Sequence, residues 1–594
     1  MKNMKIINRI LFTGCISVFA VFGAAAQNLN PTVSVTREYE GKLLEVHKPS
    51  LDMNVPDSLT QFNLDFDYSV FENPYQGSYD FKPYSLDMRP APEPYSGRSL
   101  YLKAGAGWRL RPSLDFVWEP RFEKRFRMAV YASHHSYVGK YRNERIDGKG
   151  TLDFADGSYD GYDMETKAGI KGRADFRRGV LSFNAGYHGL HVKDSLSASG
   201  WNAADLGLRV RSVRNDPSYF FYDASLDYRY AVQGLGSPVL PEVAGDATCL
   251  RTGDLDFRGS FGPVFSPSHR FLIDLAVGVS SYSSLFSSTN GIFSVTPKYV
   301  ITKGILDMTL GAELALKINS DDVFNGFELN SGKGQFVYPD VHIGIKAVKD
   351  YLNVYLSATG GMDRNTYASL KSRNHFFNPY FGRQLSPMSE NTVERFNLAA
   401  GLEGNIAGRF RYDVRFGYAS LKNAPLDAVM FDASGLGYDI CLPAIAYRNY
   451  DLVYSDILLQ WESKDVSVDS RFRINSTNLG ENEIDCFEPA FFTGDIKAMY
   501  NYKKRIWAGV TADFSSRRRG LANLSYVVDD GTAPVLSVLH LPLYVNLGAE
   551  VEFALTSKFS LWLRGDNLLD MNVQRAPYYY SGGIGFTAGL CLNL

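Results

Sequence analysis

Past residue 26 the chain holds no run of the roughly 18 apolar residues that a membrane-spanning helix needs, which excludes a helical membrane protein. Cysteine is scarce. Cys249, Cys441, Cys486 and Cys591 are the only ones beyond that point, too few for a disulfide framework in a body of 594 residues. Cys441 and Cys486 fall in successive long loops and either pair or stay free. There is also little net charge, −2 from 62 basic and 64 acidic residues, so bulk attraction to nucleic acid is missing and no nucleic-acid partner is expected. Compositional breaks are few as well. A soluble chain of this length usually splits into several domains, yet the texture changes only near residue 100 and is uniform afterwards. What is abundant points the other way: 14% aromatics and 53 glycines favour strands and tight turns over helices.

The first residues set the compartment. Lys2, Lys5 and Arg9 precede an apolar run over 10–22, and Ala24-Ala25-Ala26 offers a small-residue cleavage site before Gln27. Residues 1–26 therefore read as a signal peptide. Thr13-Gly14-Cys15 imitates a lipidation site, but Cys15 sits too early in the apolar run. Residues 27–99 are broken by Pro31, Pro49, Pro56, Pro74, Pro83, Pro90, Pro92 and Pro94 and interleaved with Phe62, Phe66, Tyr68, Phe71 and Tyr75. Proline interrupts both ladders and helices, so this is an extended segment, expected in the periplasm or inside a lumen.

From Leu100 onward the period is two. Leu543, Val545, Leu547, Ala549, Val551 and Phe553 alternate with Tyr544, Asn546, Gly548, Glu550 and Glu552. The same alternation runs through 271–279, 410–418 and 506–514. Successive strand side chains point to opposite faces, so each segment has one apolar and one polar face. A soluble sandwich alternates too; segment length and connections separate the two cases. The segments run about ten residues, enough to cross hydrocarbon when tilted. Short connections such as 177–179, 215–218, 266–269, 303–304, 349–350, 464–465, 503–504 and 556–558 alternate with long polar ones around 139–163, 231–252, 361–394, 421–449 and 520–540. That segregation is the pattern of a transmembrane antiparallel β-barrel, here all-β, of about 22 strands over 100–594, with the weakest segments near 290–300 and 335–346.

The final strand runs to the last residue: Ile584, Phe586, Ala588, Leu590, Leu592 and Leu594 alternate with Gly585, Thr587, Gly589, Cys591 and Asn593. It resembles the C-terminal recognition strand of outer-membrane barrels, with Thr587, Gly589, Leu592 and Leu594 at the matching places and Leu594 where that pattern usually carries an aromatic. Asp566-Asn567-Leu568-Leu569-Asp570 looks like the Asn-Leu-Phe-Asp-type corner of TonB-dependent receptors, and the region from Asn374 through Phe377-Asn378-Pro379-Tyr380 to Glu394-Arg395-Phe396 is similar to a loop in their plug-less relatives. The resemblance covers roughly 100–594. It implies a Gram-negative outer-membrane location among its lipids, insertion by the barrel-assembly machinery through the last strand, and solute uptake or passage. Such receptors carry a plug of well over a hundred residues, whereas about 70 residues stand here between the signal peptide and the barrel. Thr32-Val33-Ser34-Val35-Thr36 imitates their TonB-contacting segment, but without a plug the comparison argues against TonB as a partner. A surface lipoprotein or periplasmic protein is the alternative partner.

The polar faces carry the candidate sites. Lys167, Lys171, Arg173, Arg209, Arg211, Arg411, Asp413, Arg415, Arg471 and Arg473 are expected to face the lumen, with Asp223, Asp227, Arg229, Asp469, Asp513, Glu550, Glu552, Arg564 and Asp566. They either select solutes by charge or pair across strands to stiffen the wall; mixed signs favour pairing, and the cationic bias from Lys167 to Arg211 hints at anions. His375, Phe376, Phe377, Tyr380 and Phe381 form an aromatic loop cluster that could stack on a flat ligand or anchor loops on each other. Asp147, Asp153, Asp156, Asp160 and Asp163 lack EF-hand spacing, and among Gly157 and Gly161 they read as a turn-rich loop. His134-His135 and His188 with His191 lack a third zinc ligand. Ser133 and His135 share a face but lack an acid, so no enzyme is expected, and nothing calls for a cofactor. Two functions remain: solute uptake or passage, or an occluded barrel that scaffolds an outer-membrane complex.

Overall fold

The alternating segments assemble, in the computed structural model, into a single antiparallel sheet of 22 strands that closes on itself. Residues 99–594 are described apart from loop segments, the longest being 235–248, 378–389 and 524–535. Residues 1–98, with the signal peptide, the proline-rich segment and the Thr32 to Thr36 motif, lie outside the described residues. So does the Cys441 side chain, and with it the pairing expected with Cys486.

The first strands are β1 (Leu100–Gly107), β2 (Ser113–Trp118), β3 (Phe126–Ile146), β4 (Leu152–Phe176), β5 (Gly179–Lys193), β6 (Ala198–Ser212), β7 (Tyr219–Gly234) and β8 (Cys249–Ser266). There follow β9 (His269–Ser283), β10 (Ser288–Lys303), β11 (Leu306–Asn319), β12 (Gln335–Val348), β13 (Leu352–Arg364), β14 (Asn391–Ile406) and β15 (Phe410–Phe431). The last are β16 (Cys441–Glu462), β17 (Val466–Leu479), β18 (Phe492–Tyr502), β19 (Ile506–Ser515), β20 (Tyr544–Ala554), β21 (Phe559–Asp566) and β22 (Gly585–Asn593). The segments read as weak, near 290–300 and 335–346, are full strands.

Each strand pairs with its neighbours in sequence, and β1 pairs with β22 from Tyr101↔Asn593 to Gly107↔Thr587. Leu100 and Leu594 exchange backbone hydrogen bonds of 2.9 and 2.8 Å, so the last residue is part of the seam. A methyl group at Gly105 would lie 2.4 Å from the Trp562 ring. Glycine is required there because the indole crosses the closing ladder.

The faces sort as the alternation predicts. Leu206, Leu208, Leu356, Leu398, Val510, Leu563 and Leu590 are exposed, while Asp205, Trp201 and Ala203 on the other face of β6 are covered. An exposed belt of large aliphatic and aromatic residues around a closed barrel is what hydrocarbon, not water, stabilises. The chain is an outer-membrane barrel. One rim carries tight turns, two of them with left-handed central residues: Ala407-Gly408 (φ 55° and 69°) and Lys503-Lys504 (φ 51° and 56°). Positive φ at both positions is the hairpin turn whose twist matches the strands.

The opposite rim differs from the sequence reading at two places. The connections predicted at 139–163 and 421–449 are mostly strand, since β3 and β4 have 21 and 25 residues and β15 and β16 have 22 each. That is roughly ten more than a crossing needs. These hairpins stand beyond the membrane, where polar side chains and glycines are compatible with a ladder, so composition alone looked like loop. The corner Asn567 to Asp570 is a tight turn with φ 49° at both ends. Asn567 Nδ2 donates to the Met571 carbonyl (2.8 Å) and Asp570 accepts from the Ile584 amide (3.0 Å). Asn and Asp tolerate that backbone region better than other side chains.

Because Leu563 faces lipid at mid-strand, Leu563→Arg is expected to cost roughly 2–4 kcal/mol, whereas Arg564→Gln on the inner face should cost under about 1 kcal/mol. Urea titration of the vesicle-inserted barrel, read by heat-modifiable gel mobility, measures both; equal losses would reverse the assignment of faces.

Candidate functional site

Wall side chains cannot fill a lumen of 22 strands, so whatever enters it decides what can pass. The described first half of the connection between β13 and β14, residues 365–377, turns inward. Its sequence is suited to a short helix: Thr366 takes the extended backbone of a cap (φ −81°, ψ 156°) and its Oγ1 accepts from the Ser369 amide at 3.1 Å, starting α1 (Tyr367–Arg373). Lys371 and Arg373 occupy the last turn, where cations suit the exposed carbonyls.

Tyr367, Ala368, Leu370 and Phe377 are buried in one apolar cluster with Leu190, Trp201, Ala231, Leu250 and Tyr282 of the β5–β9 inner wall and Leu421, Ala424, Leu426, Ile445 and Tyr450 of β15 and β16. The loop thus lies between two walls. Even Lys371 is fully buried, its Nζ donating to the Phe377 carbonyl at 3.0 Å. Polar contacts fix both ends. At the root Asn365 Nδ2 donates to the Glu390 carbonyl (2.8 Å) and to Thr392 Oγ1 (2.9 Å). At the far end His375 Nδ1 lies 3.0 Å from both oxygens of Asp163 on β4. Counted round the closed wall, β4 is ten strands from β14 one way and twelve the other, so this contact crosses the lumen. Phe376 meets the Tyr141 ring edge-on, centroids 6.3 Å apart. In the middle, Arg373 reaches Asp427 of β15 (3.0 Å) and the Pro425 carbonyl (2.6 Å).

Of the aromatic cluster singled out in the sequence, His375, Phe376 and Phe377 therefore pack this loop against the walls, and Tyr380 and Phe381 lie outside the described residues. The charged candidates sit on the face opposite the apolar belt, and many pair along the wall. Arg209 binds Asp223 through two hydrogen bonds (2.8 and 2.7 Å), and Arg173 binds Asp175 (2.8 Å). Arg415 and Arg473 flank Asp456 at 2.6 and 3.4 Å, both beside the Tyr454 ring. Lys167 pairs with Glu165 (2.9 Å), Lys171 lies 5.2 Å from the Tyr131 ring centroid, and Asp413 accepts from the Tyr355 hydroxyl (3.1 Å). Arg211, Arg411 and Arg471 share this inner face by strand register.

Asp163, read as part of an acidic loop, serves the loop through His375; the side chains of Asp147, Asp153 and Asp156 lie outside the described residues. His134 bonds Thr166 and Ser136, and His188 bonds Glu165. His135 does meet an acid, Asp115 (3.1 Å), and the hydroxyl of Ser113 (3.1 Å) rather than Ser133. All three stand on a regular ladder whose amides are committed to strand pairing.

The fold has known parallels. The copper transporter OprC superposes with a TM-score of 0.55 at 10% identity, over 84% of this chain and 80% of its own. The FrpB iron transporter from Neisseria meningitidis gives 0.59 at 8%, over 84% and 82%. The Fiu ferric-catecholate import receptor of E. coli K12 gives 0.56 at 8%, over 84% and 82%. This is the barrel fold of the TonB-dependent receptors. No family model and no curated protein matches the sequence. At such identity the likeness fixes the wall and its 22 strands, while the inward loop has to be understood from this chain's own residues.

Burial opposes protonation of His375, but the hydrogen bond and charge of Asp163, with Glu165 adding, outweigh it and raise its pKa above the ordinary histidine value. A raised pKa makes the contact strongest at low pH and lost as pH rises through the shifted value. Amide exchange of Tyr367–Arg373, corrected for intrinsic rates, should be slower at pH 6 than at pH 9, and the difference should vanish in His375→Phe. A pH effect that persists in His375→Phe would rule out this contact as its origin.

Proposed function

We propose that this barrel passes a solute across the outer membrane through a lumen that the 365–377 loop gates. One observation carries the reading: the loop is held on opposite walls, by Asp163 on one side and Asp427 on the other, with its apolar face buried between them. Solved barrels of the same fold are named as transporters or receptors for copper, iron and ferric siderophore, which supports uptake over mere anchoring. In this reading Lys167, Lys171, Arg209, Arg211, Arg411, Arg415 and Arg473 line the route, and the pairing of Lys167, Arg209, Arg415 and Arg473 with acids offsets much of the wall's charge. Loop movement, not TonB pulling on a plug, opens the passage. The final strand engages the barrel-assembly machinery, and a surface lipoprotein or periplasmic protein is the partner that moves the loop.

The tall β3–β4 and β15–β16 hairpins favour a second reading, a closed barrel that scaffolds an outer-membrane complex. Single-channel conductance in planar bilayers separates the two. The full chain should show rare, brief openings, and a variant with 366–377 replaced by a Gly-Ser linker a large, steady conductance. Steady conductance in the full chain would show that the loop does not gate. Silence in the shortened variant, with native heat-modifiable mobility, would favour the scaffold.

A further inference from the structure

Asp427 sits in the outer part of β15, 7% exposed, and its two carboxylate oxygens are taken by different elements. Oδ1 accepts from Arg373 Nε of the inward loop at 3.0 Å. Oδ2 accepts from Arg518 Nη1 at 3.0 Å. Arg518 opens a small hairpin, Arg518–Asn523 with Leu536–Leu541, inserted between β19 and β20. Its Nη2 donates to the carbonyl of Arg575 at 2.5 Å, in a second hairpin (Val573–Ala576 with Tyr579–Ser581) inserted between β21 and β22. Arg575 in turn binds Asp513 at the end of β19 (2.6 Å). The Asp427 backbone carbonyl also accepts from the Phe487 amide (2.8 Å), which anchors the backbone there and leaves the direction of the carboxylate to its two arginines. Polar contacts therefore run as one chain from loop to wall to two inserted hairpins, ionic at Asp427 and through a backbone carbonyl at Arg575.

We infer that Asp427 is the positioning residue of the gate: it clasps the loop through Arg373 and, through Arg518, makes the loop's closed position depend on where the two outer hairpins sit. This rests on the gating reading above and adds how opening is controlled. The two guanidinium groups hold different oxygens of one carboxylate, so together they select one Asp427 rotamer, and withdrawal of Arg518 leaves the side chain free to turn away from Arg373. Displacing the Arg518 hairpin outward swings or uncovers Asp427 and so loosens Arg373. The coupling runs both ways, as any linkage must: a loop driven open releases the hairpins. Nothing in the strand pattern demands these residues. Arg518 and Arg575 lie in inserted hairpins that the 22-stranded wall does not need for closure, so the relay is an addition to the barrel.

The test is a double-mutant cycle on gating, with the full chain reconstituted in planar bilayers and barrel integrity checked by heat-modifiable mobility. Asp427→Asn, Arg373→Gln and Arg518→Gln should each raise open probability by on the order of ten-fold. The double variant Arg373→Gln/Arg518→Gln should open no more than Asp427→Asn, because all three act on one clasp. Arg575→Gln, one step further out, should give a smaller rise in the same direction. Arg127→Gln, which breaks an exposed pair with Asp175 remote from the loop, controls for general loss of charge. Additive effects of Arg373→Gln and Arg518→Gln would overturn the shared clasp, and an Arg518→Gln variant that gates like the parent would overturn the coupling to the hairpins. The loop-shortened variant keeps the two claims apart. If it conducts steadily while Asp427→Asn gates like the parent, the clasp fails and the gate stands; if it stays silent, the gate itself fails.

Discussion

In hydrocarbon an unpaired amide or carbonyl has no water to turn to, and each costs several kcal/mol. A flat sheet presents two rows of such groups, one along each edge, so a sheet that crosses a membrane has to close. The remaining features of this chain follow from that closure. The seam between β1 and β22 reaches to the final residue, which pairs with Leu100. Closing over 22 strands also fixes a circumference, and with it a lumen far wider than side chains can bridge. The outer face is then bound to be apolar and the inner face bound to be wet, which is the alternation the sequence carries throughout.

A wide polar lumen raises a second problem, since its charges would otherwise dominate what passes. Many described charges on the inner face are neutralised along the wall, strand to neighbouring strand: Arg209 with Asp223, Arg229 with Asp205, and Arg415 and Arg473 about Asp456. Pairing of this kind stiffens the sheet and leaves a nearly neutral surface. Selection is thereby shifted from the wall to the segment that crosses it. That segment also makes a contact of another kind, reaching a strand far round the ring, as in His375 with Asp163.

This division explains what could be seen in the sequence. Period-two alternation is a local property that every strand must obey to have one lipid face, so the strand number and the short-turn rim were legible. The corner at Asn567 and Asp570 stood out through its resemblance to a family motif, and the left-handed backbone of both residues gives a local reason for that residue choice. Contacts across the lumen impose no period. His375, Phe376 and Phe377 stood out as an aromatic group, yet whether such residues meet a ligand or a wall is set by residues more than 200 positions away, such as Asp163. Arg373, Asp427 and Arg518 carried no signal at all. Asp427 and Arg518 looked like ordinary polar residues of long loops. The one clue was local: Thr366 followed by Tyr367, Leu370 and Lys371 has a cap and a helical spacing inside a chain that otherwise alternates. A helix former set between two strands marks a segment that does not continue the wall. The extended hairpins were missed for a related reason, since outside the membrane a ladder no longer needs an apolar face.

The two kinds of contact that hold the loop have different physical characters, and a gate needs both. Burial of Tyr367, Leu370 and Phe377 against the walls contributes on the order of 2 kcal/mol per large side chain, but it has no direction; a helix shifted by a turn would bury nearly as much. Arginine bound to carboxylate is directional and fails over about an ångström of displacement, while its net worth after desolvation is modest. The apolar cluster therefore sets how tightly the loop is held in the lumen, and the charged contacts at Asp163 and Asp427 set where. Small movements of the surface hairpins cannot pull a helix out of an apolar slot, but they can remove the directional contacts that choose one seating over another. That makes the ionic contacts, though the weaker part of the energy, the part through which the outside of the barrel can act on its interior.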